Sequence, residues 1–393
     1  MEMLIPMATD GFSMETNFVF APLFVAPIAS FQTAQDEYSS HIVPCAAYDI
    51  GSGATKFMGA LVNTESLTIE QIFSQGNFNV PYREDLYQSN NHTFSDLIQE
   101  MGLKALVDAH YQIEQDYHHA GLAQYGDIQH FAVATAAFRA ADNGELVAEY
   151  FSDKLDMPVR IISQEEEGKL AYYSALTQPH PDGTLPIVWD IGGGSMQLTF
   201  KDVTDHFHVM QGEVASQTFQ ALVGEKVLGF GDGSHSPNPM KESDVEAAIA
   251  LAKQTLQFDP ATTAIIKNQI SDQTPVLAVG TVHNFSIQPL CTFAGIDASK
   301  DHYSKHDLLL AIDLLTDKTD QQIMHLNNLP NIDLAKNQLT NLILVYAMMD
   351  LMGIENVQTV KSSNVEGLLI MNAPTKQPLA SPIIAHPQEL YYA

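Results

Sequence analysis

AAYDIGSGATKF (Ala46–Phe57) and IVWDIGGGSMQLTF (Ile187–Phe200) are two versions of one pattern. Each enters on an apolar run, turns through Asp-Ile-Gly-x-Gly, and leaves on a second apolar run. Ile42–Tyr48 and Lys56–Val62 read as strands flanking the turn at Asp49–Gly53, and Leu185–Trp189 and Met196–Phe200 as strands flanking the turn at Asp190–Ser195. Glycines without Cβ atoms let the backbone approach an anion and aim successive N–H groups at its oxygens. An aspartate at the head of each turn supplies an oxygen ligand for a cation such as Mg2+. One copy reads equally well as a tight hairpin. Two copies one lobe apart read as an internal repeat, each opening one α/β lobe, with the two loops clasping one phosphate chain.

Working outward, strands and helices alternate to the C-terminus. Asp96–Tyr117, Gly144–Leu155, Glu165–Leu176, Leu339–Met352 and Asn364–Met371 have helical spacing, and Phe131–Thr135, Val159–Ile162, Pro275–Val279 and Val357–Val360 have strand character. That alternation predicts an α/β fold. The expected division is an N-terminal extension at 1–41, a first lobe at 42–178, a second lobe at 179–375 and a tail at 376–393. The breaker-rich segment beginning at Gln178 is the predicted linker.

Composition bounds the partners. The 393 residues are 45% hydrophobic and 17% charged, which suits two or three globular domains. Lys and Arg number 18 against 47 Asp and Glu, a net charge of −29, which argues against nucleic acid and anionic membranes as partners. The apolar run Phe18–Ala29 is too short to span a membrane, and no Lys or Arg precedes it. A cytoplasmic protein is expected, with export through that run as the alternative. Cys45 and Cys291 lack metal spacing and read as small buried hydrophobes. The histidines do not assemble into a site: neither His118-His119 nor His206 and His208 has zinc spacing, and solvated rings are the better reading.

Two further segments carry chemistry. Ser163-Gln164-Glu165-Glu166-Glu167 sits between a strand and a helix, where the acids either cap the helix or provide a general base that activates water. Arg139 follows Val133–Phe138 and either forks onto phosphate oxygens or makes a surface ion pair.

Taken in order, Ala46–Phe57, AVATAAFRAADNGE (Ala132–Glu145), IISQEEEGKLAYYSAL (Ile161–Leu176) and Ile187–Phe200 resemble the exopolyphosphatase and guanosine pentaphosphate phosphatase family. The resemblance implies two ribonuclease-H-like lobes of the actin-like ATPase fold around an interlobe cleft. It implies an enzyme that releases terminal phosphate from polyphosphate or guanosine pentaphosphate-like substrates, with Mg2+ and an attacking water. Aligned on the family pattern, Glu166 becomes the catalytic base and Asp190, with Asp49, the metal ligand. Gly51, Ser52, Gly53, Lys56, Arg139, Gly192, Gly193, Gly194 and Ser195 become phosphate-binding residues. Three positions depart from the pattern: Gly53 replaces an asparagine, Gln197 a glutamate, and Val365 the closing arginine. Gln197 is left to orient a water. A weakly active or inactive phospho-ligand sensor of the same fold is the alternative, a kinase has no positive support, and a homodimer stays open.

Overall fold

The structure is a computed structural model and describes residues 41–178, 185–230, 235–271, 273–293, 301–329 and 332–373. The apolar run at 18–29, most of the linker and the C-terminal tail lie outside these residues, as does the side chain of Cys291. Cys45 is a free, buried cysteine, and burial pushes its thiol up to about 12.

The first lobe opens on a meander: β1 (Ile42–Ile50), β2 (Ala54–Asn63) and β3 (Thr68–Asn79), paired antiparallel. Helices α1 (Tyr82–Gln88) and α2 (Asp96–His119) follow. Strand β4 (Gln129–Ala134) then returns parallel to β1, and after α3 (Ala136–Ala140) and α4 (Gly144–Leu155), β5 (Val159–Ile161) pairs parallel to β4. The strand order is β3-β2-β1-β4-β5. Strand β1 is buried on both faces, as its nearly continuous apolar run requires. Tyr48 and Ile50 meet Leu106, Ala109 and Ile113 of α2 on one side, while Cys45 and Ala47 face the other core.

After α5 (Gln164–Ala175) the second lobe repeats the plan with β6 (Ile187–Ile191), β7 (Met196–Lys201) and β8 (Phe207–Gly212) as the meander. Helices α6 (Ser216–Lys226), α7 (Glu242–Thr255) and α8 (Pro260–Gln269) lead to β9 (Val276–Val279), parallel to β6. Then come α9 (Gln288–Phe293), β10 (His302–Ser304), α10 (Lys305–Leu315), α11 (Asp320–Leu326), the buried α12 (Gln338–Met352), β11 (Asn356–Thr359) and α13 (Asn364–Asn372). The order β10-β11-β9-β6-β7-β8 reproduces that of the first sheet with β10 added at one edge. In both sheets the central strand, β1 or β6, thus ends in an Asp-Ile-Gly turn.

The strands divide between the two sheets in chain order, but the helices do not. Helix α5 follows the first lobe's last strand, yet its Ala171, Tyr172 and Ala175 pack with Val188, Leu277 and Val279 of the second sheet. Helix α13 follows the second lobe's last strand, yet its Val365, Leu368 and Leu369 pack with Cys45, Ala47 and Met58 of the first. Small residues allow the crossing. A Cβ on Gly367 would lie 2.0 Å from the Leu170 carbonyl oxygen, and one on Gly168 2.6 Å from Thr199 Oγ1. The Ser174 hydroxyl donates to the Ser363 carbonyl and ties the two helices together.

Candidate active site

Both glycine turns are closed by the same bond: the Gly51 amide donates to Ala54 O at 3.0 Å and the Gly192 amide to Ser195 O at 2.9 Å. Their carbonyls are engaged by backbone amides. Ser52 O and Gly53 O accept from Arg83 and Val80, and Gly192 O and Gly193 O accept from Ser216 and Gln217. The amides of Ser52, Gly53, Gly193 and Gly194 take part in none of these bonds. Each turn therefore presents N–H groups, the arrangement that holds anions. The two loops meet face to face: a Cβ on Gly193 would lie 3.1 Å from Ser52 Cβ, and one on Gly194 3.2 Å from Ser52 Oγ. Here glycine is required by close approach.

The cleft between them has a volume of about 370 Å3 and is lined by Asp49, Gly51, Ser52, Gly53, Lys56, Glu167, Asp190, Gly192, Gly193, Gly194 and Ser195. The strand register explains the placement. Asp49 pairs with Lys56 across β1–β2, and Asp190 holds the matching position opposite Gln197 across β6–β7. Both aspartates are buried. Burial raises Asp49, with the Lys56 ammonium opposing. Burial pushes Asp190 up to about 6, against the pull of Lys56 and with added repulsion from Asp49. The Asp49 Oδ1 atom is buried without a hydrogen-bond partner among the described residues. Two crowded, desolvated carboxylates with an unsatisfied oxygen form an all-oxygen donor set that fits Mg2+.

The glutamate in the cleft is Glu167, and Glu166 is not brought there. Ser163 caps α5, and Glu166 at its third position closes a capping box: its Oε2 accepts from the Ser163 amide at 3.0 Å and the Ser163 hydroxyl at 3.1 Å. Its side chain stays 47% exposed, 3.7 Å from Arg160. One residue on, roughly 100° around the helix, Glu167 is buried against the cleft. Burial pushes it up to about 7; the Arg139 guanidinium opposes, and Asp190 and Asp49 add repulsion. The Ser-x-x-Glu signature at 163–166 was the readable sign that Glu166 is committed to the cap.

Arg139 is held by groups of both lobes. Its Nη2 donates to Glu167 Oε2 at 2.8 Å and to Ser195 Oγ at 3.2 Å, and its Nη1 to Ile162 O at 2.8 Å. It thus links the glutamate of one lobe to the loop serine of the other. Gln197 lies in the layer behind the cleft wall, where its Nε2 donates to Gln164 Oε1 at 3.2 Å and Ser195 Oγ at 3.3 Å. Val365, at the position of the family's arginine, is buried in the α13 core.

Sequence reasoning missed several cleft residues. Asn364 lines the cleft and its side chain stabilises the Asp190 carboxylate. Gly280, at φ +88°, leaves room beside Asp190, whose Oδ1 would lie 2.5 Å from an added Cβ. Arg83 packs behind the first loop with its Nε buried and unpartnered among the described residues. A Ser-x-x-Glu signature at 363–366 flagged the helix start that carries Asn364; nothing in the sequence flagged Arg83.

The duplicated sheets, the crossed helices and the two facing loops define a protein of the actin-like ATPase fold. Residues 122–211 match the sequence model of the Ppx/GppA phosphatase family, covering three of the four motifs that carried the resemblance. Solved structures share the fold. The Aquifex aeolicus PPX-GPPA enzyme superposes with a TM-score of 0.62 at 15% identity, over 84% of this chain and 99% of that one. An exopolyphosphatase from Cytophaga hutchinsonii gives 0.63 at 14%, over 84% and 97%. A nucleoside triphosphate hydrolase from Neospora caninum gives 0.50 at 10%, over 87% and 95%. Among the described residues, no helix is long and apolar enough to cross a membrane.

Proposed function

We propose that the protein hydrolyses the terminal phosphoanhydride of a short phosphorylated substrate, with Glu167 as the general base. The observation that carries this is the Glu167 carboxylate, buried in the cleft beside both anion-presenting loops and raised to about 7, near working pH. The loop amides of Ser52, Gly53, Gly193 and Gly194 hold the phosphate oxygens, and Lys56 adds charge beside them. Glu167 takes a proton from water as the water oxygen bonds to the terminal phosphorus. The bond to the bridging oxygen breaks, and its electron pair stays on the leaving phosphate. Arg139 holds Glu167 in position from behind. Asp49 and Asp190 are the residues that would hold Mg2+, which when bound supplies charge neutralisation at the phosphate oxygens.

The cleft favours a nucleoside polyphosphate or short oligophosphate over long polyphosphate. Beyond the loops its wall is Val282, Leu329 and Leu334 with Asn337, Gln338 and Asn341. Apolar and amide groups of this kind suit a nucleoside more than further phosphates. The buried Val365 contributes no charge, and the chain is strongly acidic. The glutamate-to-Gln197 departure lies behind the cleft wall, so it leaves the proposed base untouched and weakens the sensor reading.

Phosphate release with Mg2+ tests both points, comparing guanosine pentaphosphate, tripolyphosphate and long-chain polyphosphate at fixed ionic strength. The expected order of kcat/KM places the short substrates first. A clear preference for the long chain overturns the substrate reading, and no release from any of them overturns the hydrolase.

A further inference from the structure

The first lobe carries a second group of ligating side chains, away from the cleft. His110 and Glu114 are one turn apart on α2 and share a face. His130 is on β4, opposite Ala46 of β1. One ligand atom from each of the three lies within 4.8 Å of the others. His130 Nε2 is 3.3 Å from Glu114 Oε1, and the two imidazole rings stack with centroids 4.5 Å apart. The Nδ1 atoms of His130 and His110 lie 2.9 and 3.4 Å from the hydroxyl of buried Tyr48. Tyr48 precedes Asp49 on β1, so their side chains leave on opposite faces of the sheet.

We propose that His110, Glu114 and His130 bind a divalent transition metal of the zinc class. Two imidazoles and one carboxylate suit Zn2+, whereas Mg2+ prefers oxygen ligands and keeps its waters. Tyr48 serves as the outer partner. A hydrogen bond at Nδ1 fixes the ring and leaves Nε2 for the metal, the usual arrangement around ligating histidines. In His130 that Nε2 already points at the Glu114 carboxylate. The ligands come from a helix and from a strand, so the ion braces α2 against the sheet and is independent of the cleft chemistry.

The test uses the full chain, stripped with a chelator and titrated with Zn2+ alone or with Co2+ as a spectroscopic stand-in. An Asp190→Asn background removes the competing cleft site. The expected result is a single equivalent of Zn2+, a visible Co2+ ligand-field band, and no displacement by excess Mg2+. His110→Ala and the half-exposed Glu114→Gln each abolish the band, and Tyr48→Phe weakens Zn2+ binding about tenfold. Circular dichroism of the metal-free variants shows that they are folded. Absence of Zn2+ binding, binding unchanged in His110→Ala and Glu114→Gln, or displacement by Mg2+ overturns the proposal.

Discussion

Neighbouring glutamates on one helix do different work because a helix turns by about 100° per residue. Glu167→Gln is expected to lower kcat by about 100-fold or more while leaving ligand binding nearly intact, since it removes the base and keeps the shape. Glu166→Ala is expected to keep kcat within a few-fold and to cost about 0.5–1 kcal/mol in urea unfolding, through the lost capping box. The reverse pattern would return the base to Glu166. Arg139 acts on the same carboxylate. Its positive charge opposes the burial that raises Glu167, so Arg139→Gln is expected to move the acidic limb of the kcat/KM–pH profile to higher pH. A profile that falls in height without moving would mean that Arg139 contacts substrate instead.

At the scale of elements, the cleft depends on two helices that each cover the other lobe's sheet. Their crossing leaves no space at Gly367, where a Cβ meets backbone that cannot swing aside. Gly367→Ala is therefore expected to destabilise the protein by about 1–3 kcal/mol, measured as a lower urea midpoint, despite the better helix propensity of alanine. A midpoint equal to wild type would show that the helices separate at little cost. Elsewhere the elements follow their sequence signals closely. The paired turns at 49–53 and 190–194, the strands that flank them and the buried α12 all lie where the periodicity places them. One departure has a local cause. Helix α8, which the spacing does not announce, carries four β-branched residues in ten, Thr262, Thr263, Ile265 and Ile266.

For the molecule as a whole, the buried carboxylates make stability depend on pH in an uncommon direction. Glu167 is raised from an ordinary 4.5 to about 7, and Asp190 from 3.8 to about 6. Between those limits the folded protein holds protons that the unfolded chain has released, so stability falls as pH rises. The metal-free protein is expected to be more stable near pH 5 than near pH 7.5, by an amount on the order of a few kcal/mol. Repulsion within a chain of net charge −29 acts in the same direction. Glu167→Gln separates the two effects by flattening the slope without altering the general charge. Added Mg2+ is expected to raise the melting temperature more at pH 7.5 than at pH 5, because the ion binds ionised carboxylates. Equal gains at both pH values would remove Asp49 and Asp190 from the metal site.

What could be read from the chain alone is local or periodic. A strand's period, a glycine turn, a capping signature and the repetition of Asp-Ile-Gly-x-Gly are written in consecutive residues, and they were enough for two α/β lobes and for both loops. The placement of Glu166 in the cap of α5 was nearly readable, because the capping box is itself a local pattern. Other features depend on residues far apart in sequence. Arg139 reaches Glu167 only once α3 and α5 pack together and reaches Ser195 only across the two lobes, and Asn364 meets Asp190 from 174 residues further along the chain. His110 and His130 show no metal spacing along the chain and become neighbours when β4 settles beside β1 under α2. Burial, too, is set by folding: it is the loss of water around Asp49, Asp190 and Glu167 that raises three ordinary carboxylates and makes their ionised forms costly until a cation offsets the charge.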